Sequence, residues 1–223
     1  MTDEGSTAAP VLEPVSWETR NLRRASFQLT EAFSGKPDEA SLRRALAAAA
    51  AHGEIFVQAR VDCRESRVVA LLEGCGFHFV ETTLGPRSVL ERNKVLARFE
   101  EDPGEFLPRK FSCADLSLEV SQRGDAATLE EIRGMARHTF DSDRFHLDHL
   151  CPAGAASKRF AHWVDDLAAD PQVVFYSLLL RGKRTGFFAV KEDYLVLAGL
   201  SASHRQSGLG DFFWLSVLQH LKS

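Results

Sequence analysis

Arg205, Gly208 and Gly210 fall in the spacing Arg-x-x-Gly-x-Gly, within Leu195-Val-Leu-Ala-Gly-Leu-Ser-Ala-Ser-His-Arg-Gln-Ser-Gly-Leu-Gly-Asp211. An apolar run suited to a strand leads into this polar turn. An apolar, helix-compatible segment, Phe212-Phe-Trp-Leu-Ser-Val-Leu218, follows at once. The order strand, glycine turn, helix leaves unpaired backbone N–H groups at a helix start. Such groups bind anions, above all a pyrophosphate. Glycine suits the turn because a residue without Cβ lets phosphate oxygens approach the backbone closely. The spacing excludes two other phosphate loops. No Gly-Lys-Ser/Thr follows, as a P-loop requires, and the dinucleotide fingerprint G-x-G-x-x-G is spaced differently.

The elements that must position this turn can be read upstream. Leu116–Val120 alternates as a strand, and Asp125 is placed to cap a helix whose face holds Leu129, Ile132, Ala136 and Phe140. A second helix spans Ser157–Ala169, with Phe160, Trp163, Val164 and Leu167 as its stripe and Pro171 at its end. Val173–Leu180 is a buried-type strand. Arg181-Gly182-Lys183 turns it into Thr185–Val190, and Glu192-Asp193 turns again into Tyr194–Leu200. The order is therefore β, α, α, β, β, β, glycine loop, α. Nearer the N-terminus, Ser41–Ala51 and Glu65–Glu73 read as helices, and Ile55–Val61 and Phe77–Thr82 as alternating strands. These signals divide the chain into a disordered tail (1–14), a small α/β unit (15–96), a Gly/Pro/charge-rich linker (97–112) and a second domain (113–223).

Composition narrows the class. The 223 residues carry a net charge of −4 and are 44% hydrophobic, ordinary for a soluble globular protein and unlike a basic nucleic-acid binder. No apolar run reaches membrane-spanning length, and the first residues lack signal-peptide character, so a cytoplasmic protein is expected. Cys63, Cys75, Cys113 and Cys151 are far apart, form no metal-type pair and read as free thiols. No metal is expected.

The Arg205-x-x-Gly208-x-Gly210 spacing resembles the acyl-CoA pyrophosphate loop of the GCN5-related N-acetyltransferases, and the order of elements from residue 116 is similar to that superfamily's. Val120-Ser-Gln-Arg-Gly-Asp125 resembles its first strand and helix start, and Thr185-Gly186-Phe-Phe-Ala-Val its glycine-bearing strand. Phe140-Asp-Ser-Asp-Arg-Phe-His-Leu-Asp148 with Arg159-Phe-Ala-His-Trp163 looks like the dTDP-fucosamine N-acetyltransferase group. That group carries a small N-terminal α/β domain, which Ala59-Arg-Val-Asp62 and Leu71-Leu-Glu-Gly-Cys-Gly-Phe77-His-Phe-Val80 resemble. The latter segment is also similar to the closing piece of an acetyltransferase, a degenerate half-repeat. The resemblance implies an α/β fold with a mixed, mainly antiparallel sheet flanked by helices. It implies a further strand, helix and strand pair after the CoA-loop helix. The sequence given ends at Ser223, which reads as a fragment; a gap filled by the half-repeat and an inactive protein are the alternatives.

The implied activity is transfer of acetyl from acetyl-CoA to a primary amine, on a nucleotide-linked amino sugar such as a dTDP-4-amino-6-deoxy sugar. The rivals are an amino acid, peptide or small-amine acceptor, and a CoA-binding regulatory or interaction module without turnover. No nucleic-acid or membrane partner is implied, and a homodimer is an open expectation. The N–H groups of Gln206, Ser207, Gly208, Leu209 and Gly210 would hold the pyrophosphate, with Arg205 adding charge. Asp211 sits where its sign suits a helix start. Backbone groups of Leu200, Ser201 and Ala202 would pair with pantetheine and polarise the thioester carbonyl. Arg144, His146 and Asp148 lie where the resembled enzymes bind their acceptor, and read equally as a polar surface loop. Trp163, Tyr176 and Tyr194 read first as packing residues, His204 as a solvated one, and Glu192 and Asp193 as turn residues. The sequence selects no general base or acid.

Overall fold

Hydrogen-bonding side chains and glycines set many of the element ends. The computed structural model describes residues 10–85, 87–121 and 125–222. The chain divides into two units: Met1–Glu81 with Asp148–Pro152, and Thr82–Leu147 with Ala153–Ser223.

The first unit contains β1 (Leu12–Pro14), α1 (Ser16–Leu22), β2 (Ala25–Leu29), α2 (Glu31–Gly35), α3 (Glu39–Ala50), β3 (Ile55–Gln58) and α4 (Ser66–Gly74). Its sheet runs β1-β2-β3, with β1 antiparallel and β3 parallel to the central β2. Asp38 starts α3 by accepting from the Ser41 N–H at 2.9 Å, which satisfies a first-turn donor. At the end of α4, Gly76 adopts φ 93°. The Phe77 N–H returns to the Leu72 carbonyl and the Gly76 N–H to that of Glu73, each at 3.0 Å, a Schellman closure. Leu29, Phe33, Leu42, Val68 and Leu72 form the core.

Two expectations fail here. Residues 12–14 are not tail but pair with β2, while residues 1–9 lie outside the described residues. The alternating run 77–82 is not a strand. The Phe77 N–H is used in the α4 closure, and Phe79 is 71% exposed. Alternation makes a strand only where a partner strand accepts its backbone.

The second unit contains α5 (Lys94–Glu101), β4 (Leu116–Val120), α6 (Ala126–Thr139), the one-turn α7 (Arg144–Leu147), α8 (Ala155–Ala169), β5 (Val173–Leu180), β6 (Lys183–Lys191), β7 (Tyr194–Leu200) and α9 (Gly210–Lys222). Its sheet is antiparallel in the order β4-β5-β6-β7. The protein is thus α/β, with helices beside an antiparallel sheet, as expected. Side chains alternate between the sheet faces. On one face Phe175, Phe187, Ala189 and Leu197 meet Ile132, Ala136, Phe160, Val164 and Leu167 of α6 and α8. On the other, Leu178, Phe188 and Val190 meet Leu96 and Phe99 of α5 and Phe212, Phe213, Leu215 and Val217 of α9. Asp125 caps α6 through the Ala127 and Thr128 N–H groups, both at 3.1 Å, and hydrogen bonding from Thr128, side chain first and then backbone, holds its carboxyl below the usual range. The resembled stretch Gln122–Gly124 lies outside the described residues.

The boundary drawn at 96/97 is displaced. The units divide after Glu81, and the stretch 97–112 carries the fully buried Phe99 together with Phe106 and Leu107 against α9. Its charges and Pro/Gly pair hide an amphipathic turn of helix whose apolar side is core.

Candidate functional site

The glycine loop leaves the end of β7, which is an edge strand of its sheet. Ser201 donates its N–H to the Thr185 carbonyl at 2.8 Å. Antiparallel alternation then turns the neighbouring N–H and C=O of Leu200 away from β6, towards the open edge. The Leu200 carbonyl lies 3.0 Å from the Thr139 hydroxyl. Gly199 permits this approach, since a Cβ there would meet the Thr139 methyl at 2.6 Å. Further back, Leu195 faces Val190 and Leu197 faces Ala189, so Val196 is the extra residue of a bulge. Bulges bend a strand locally and are frequent beside active sites.

After β7 the chain makes a short turn over Ala202–His204. Arg205 is extended and Gln206 takes φ 57°, while the Ser207 N–H reaches the His204 carbonyl at 3.2 Å. This is a type II turn with a non-glycine residue in its left-handed position, a conformation that costs about 1 kcal/mol or more. Gly208 follows with φ 87°. The Leu209 N–H donates to Ser207 Oγ at 3.2 Å, and the Phe213 N–H returns to the Leu209 carbonyl at 2.9 Å, opening the 13-residue α9. Leu209 is fully buried and anchors the loop. Among the described residues, the N–H groups of Gln206 and Gly208 have no acceptor. They stand beside the positive end of the α9 dipole.

The two motif glycines differ. A Cβ on Gly208 would lie 2.4 Å from Cγ of Pro108, so the protein's own packing requires glycine there. A Cβ on Gly210 meets nothing within 4 Å, and its φ is not positive. Nothing in the fold demands glycine at 210.

Arg205 does not extend free from the loop. Its guanidinium is held by the Asp141 carboxylate and the Thr139 carbonyl, and it lies 3.1 Å from the His138 carbonyl. It ties the loop to the C-terminal end of α6, where a cation complements the unpaired carbonyls. Asp211 is exposed in the first turn of α9. His204 is half-buried, with Nδ1 at 2.8 Å from Ser201 Oγ and 3.1 Å from Ser203 Oγ. Of the candidate backbone groups at 200–202, the Ser201 N–H and Leu200 carbonyl are engaged. The Leu200 N–H faces the open edge, and the Ala202 N–H has no acceptor among the described residues.

The acceptor candidates separate. Arg144 and His146 stand on α7, while Asp148 groups with the first unit. The Arg144 guanidinium lies over the Phe145 ring at 4.8 Å, and Arg159 over the same ring at 4.3 Å. His146 Nδ1 is held by Asp143, and its Nε2 lies 3.4 Å from Ser157 Oγ. Asp148 Oδ1 accepts from the Leu150 N–H at 2.8 Å and faces His78 Nε2 at 3.3 Å. Trp163 packs beside Phe160, as expected of a core residue. Tyr194 is 72% exposed at the far end of β7, about 20 Å from Leu200 by strand rise. Tyr176 stacks on Phe188 at 4.7 Å and meets the tilted ring of His220 at 4.1 Å, and burial raises its phenol pKa. A hollow of about 270 Å³ at Val190, Glu192, Asp193 and His220 lies at the opposite end of α9 from the loop.

Sequence reasoning missed Pro108, Asp141 and Thr139, which shape the loop from remote segments and carry no local signal. His204, read as solvated, is half-buried and held by Ser201 and Ser203. No family model matches the chain, and no curated protein matches it in sequence.

Proposed function

We propose that this protein binds acetyl-CoA at the 205–211 loop and transfers the acetyl group to a primary amine of a nucleotide-linked sugar. One observation carries the reading: a strand-to-helix loop with two unaccepted backbone N–H groups, next to a glycine that the fold itself does not need. A diphosphate filling the space at Gly210 supplies the missing reason for that glycine and the missing acceptors for Gln206 and Gly208. Arg205 then acts as the brace that holds the loop open, through Asp141 and the end of α6.

The thioester end follows from the open edge of β7. The Leu200 N–H is the donor aimed at the thioester carbonyl, where negative charge develops as the amine attacks. The amine nitrogen bonds to the carbonyl carbon, the C–S bond breaks, and the proton lost by nitrogen passes to the thiolate. We assign the relay of that proton to His204, whose Nδ1 lies within hydrogen-bond reach of the Ser201 and Ser203 hydroxyls. Arg144 on α7 is the cation proposed for the sugar-nucleotide phosphate.

The test pairs binding with turnover. Acetyl-CoA is titrated into the full chain, and CoA release is then followed with a thiol reagent, with and without a dTDP-4-amino-6-deoxy sugar. Binding with sugar-dependent release is the expected result. Binding without release for any amine would favour a CoA-binding module. No binding would overturn the reading altogether.

A further inference from the structure

His78, Asp148 and His149 bring two imidazoles and one carboxylate together from chain segments far apart in sequence. One ligand atom from each lies within 4.8 Å of the others. His78 Nε2 and Asp148 Oδ1 are 3.3 Å apart, and the rings of His78 and His149 are 5.2 Å apart. All three residues belong to the first unit. We propose that they bind a divalent late transition metal, with zinc as the reference ion, and that the metal fastens the segment Asp148–Pro152 to that unit.

The donor set selects the metal class. Imidazole nitrogen with a single carboxylate suits zinc and its neighbours, whereas magnesium and calcium take oxygen ligands. Bonds of about 2.0–2.1 Å to a tetrahedral ion place neighbouring donors roughly 3.3 Å apart. The His78–Asp148 pair already has that separation, and the His149 donor, within 4.8 Å of both, closes the remaining gap when the ion binds. Three protein donors leave a fourth position for water, the pattern of an open zinc site.

A second observation points the same way. The Asp148 side chain is only 8% exposed, so it is a carboxylate largely removed from water. Its known partners, the Leu150 N–H and His78, both meet Oδ1, and Oδ2 has no donor among the described residues. A carboxylate this buried needs strong pairing. A divalent cation between it and two imidazoles provides that pairing, and no nearby lysine or arginine does so among the described residues. The local backbone supports the geometry. The Leu150 N–H bond and the Cys151 N–H to the Asp148 carbonyl, at 3.0 Å, curl the segment so that adjacent residues 148 and 149 present donors to one point.

The site is independent of the acetyl-CoA reading. Untagged full-length chain is titrated with zinc chloride by calorimetry, and separately with cobalt(II) by visible absorption. One zinc per chain is expected, with a tetrahedral-type cobalt spectrum. His78→Ala, His149→Ala and Asp148→Asn should each weaken binding at least about tenfold, the loss that even an outer-shell change can cause. His78 and His149 are exposed, so their alanine variants should keep the wild-type circular dichroism. Acetyl-CoA affinity should not change in them. Absent zinc binding, binding unchanged in the three variants, or a thiolate-to-cobalt ultraviolet band abolished by Cys63→Ser would each overturn the proposal.

Discussion

Gly208 and Gly210 sit two residues apart in one motif, yet different forces hold them. At Gly208 a side chain collides with Pro108 and also needs a left-handed backbone. Gly208→Val should therefore destabilise the fold by about 1–3 kcal/mol, seen as an earlier denaturation midpoint. Gly210→Val meets no protein atom, so its midpoint should stay near wild type while acetyl-CoA affinity falls about tenfold or more. Calorimetry and denaturation on the two variants separate the roles; equal acetyl-CoA affinity in wild type and Gly210→Val would sever the loop from the ligand. The motif itself was legible because its spacing is local. The bracing of Arg205 was not, because Asp141 and the α6 carbonyls reach it through the fold. Sequence reasoning aimed this guanidinium at phosphate, and the fold engages it with the C-terminal end of α6.

At the scale of elements, α5 is the case where composition misleads. The run 97–112 looks like a linker because Glu, Asp, Pro and Gly crowd it, and only Phe99 and its neighbours mark a buried side. Phe99 is 1% exposed against Phe212 and Phe106. Phe99→Ala should cost about 3–5 kcal/mol, read by chemical denaturation; a loss under about 1 kcal/mol would restore the linker reading. Elements with strong periods, such as α6, α8 and the β5–β7 meander, were legible almost to their ends. The missed β2 alternates over all five residues, Ala25-Ser-Phe-Gln-Leu29, yet it buries Ser26 as well as Leu29, and its status as central strand comes from partners elsewhere in the chain. At the far end of α9, burial against Tyr176 and Phe188 lowers the His220 pKa. The unfolded chain then binds a proton that the folded one resists, so this contribution is full above the ordinary histidine pKa near 6.5 and shrinks as pH falls through it. His220→Leu should flatten the stability profile over that range, measured by thermal melts across pH.

On the scale of the whole molecule, the two units carry separate cores, and the division after Glu81 makes a concrete prediction. Arg109 and Lys110 are exposed too, but they follow Phe106 and Leu107, which pack on the core beneath α9, so limited trypsin digestion should cut first at Arg87, between exposed Leu84 and Val89. Mass spectrometry of the fragments decides; early cleavage at 109 or 110 would return the boundary to its sequence-based place. The coarse class, helices against an antiparallel sheet, was legible from the order of elements. The unit boundary was not, because it depends on which surfaces are covered, and Asp148–Pro152 joins the first unit from deep within the second half of the chain.

The most direct measurement follows the backbone amides of the loop by heteronuclear magnetic resonance while acetyl-CoA is added to the full chain. A diphosphate seated at the start of α9 should move the Gln206, Gly208 and Gly210 amide signals saturably and together. The Ser201 amide, already bonded to Thr185, should respond less. Loop signals that stay fixed while acetyl-CoA binds, or perturbations gathered in the first unit instead, would contradict the account.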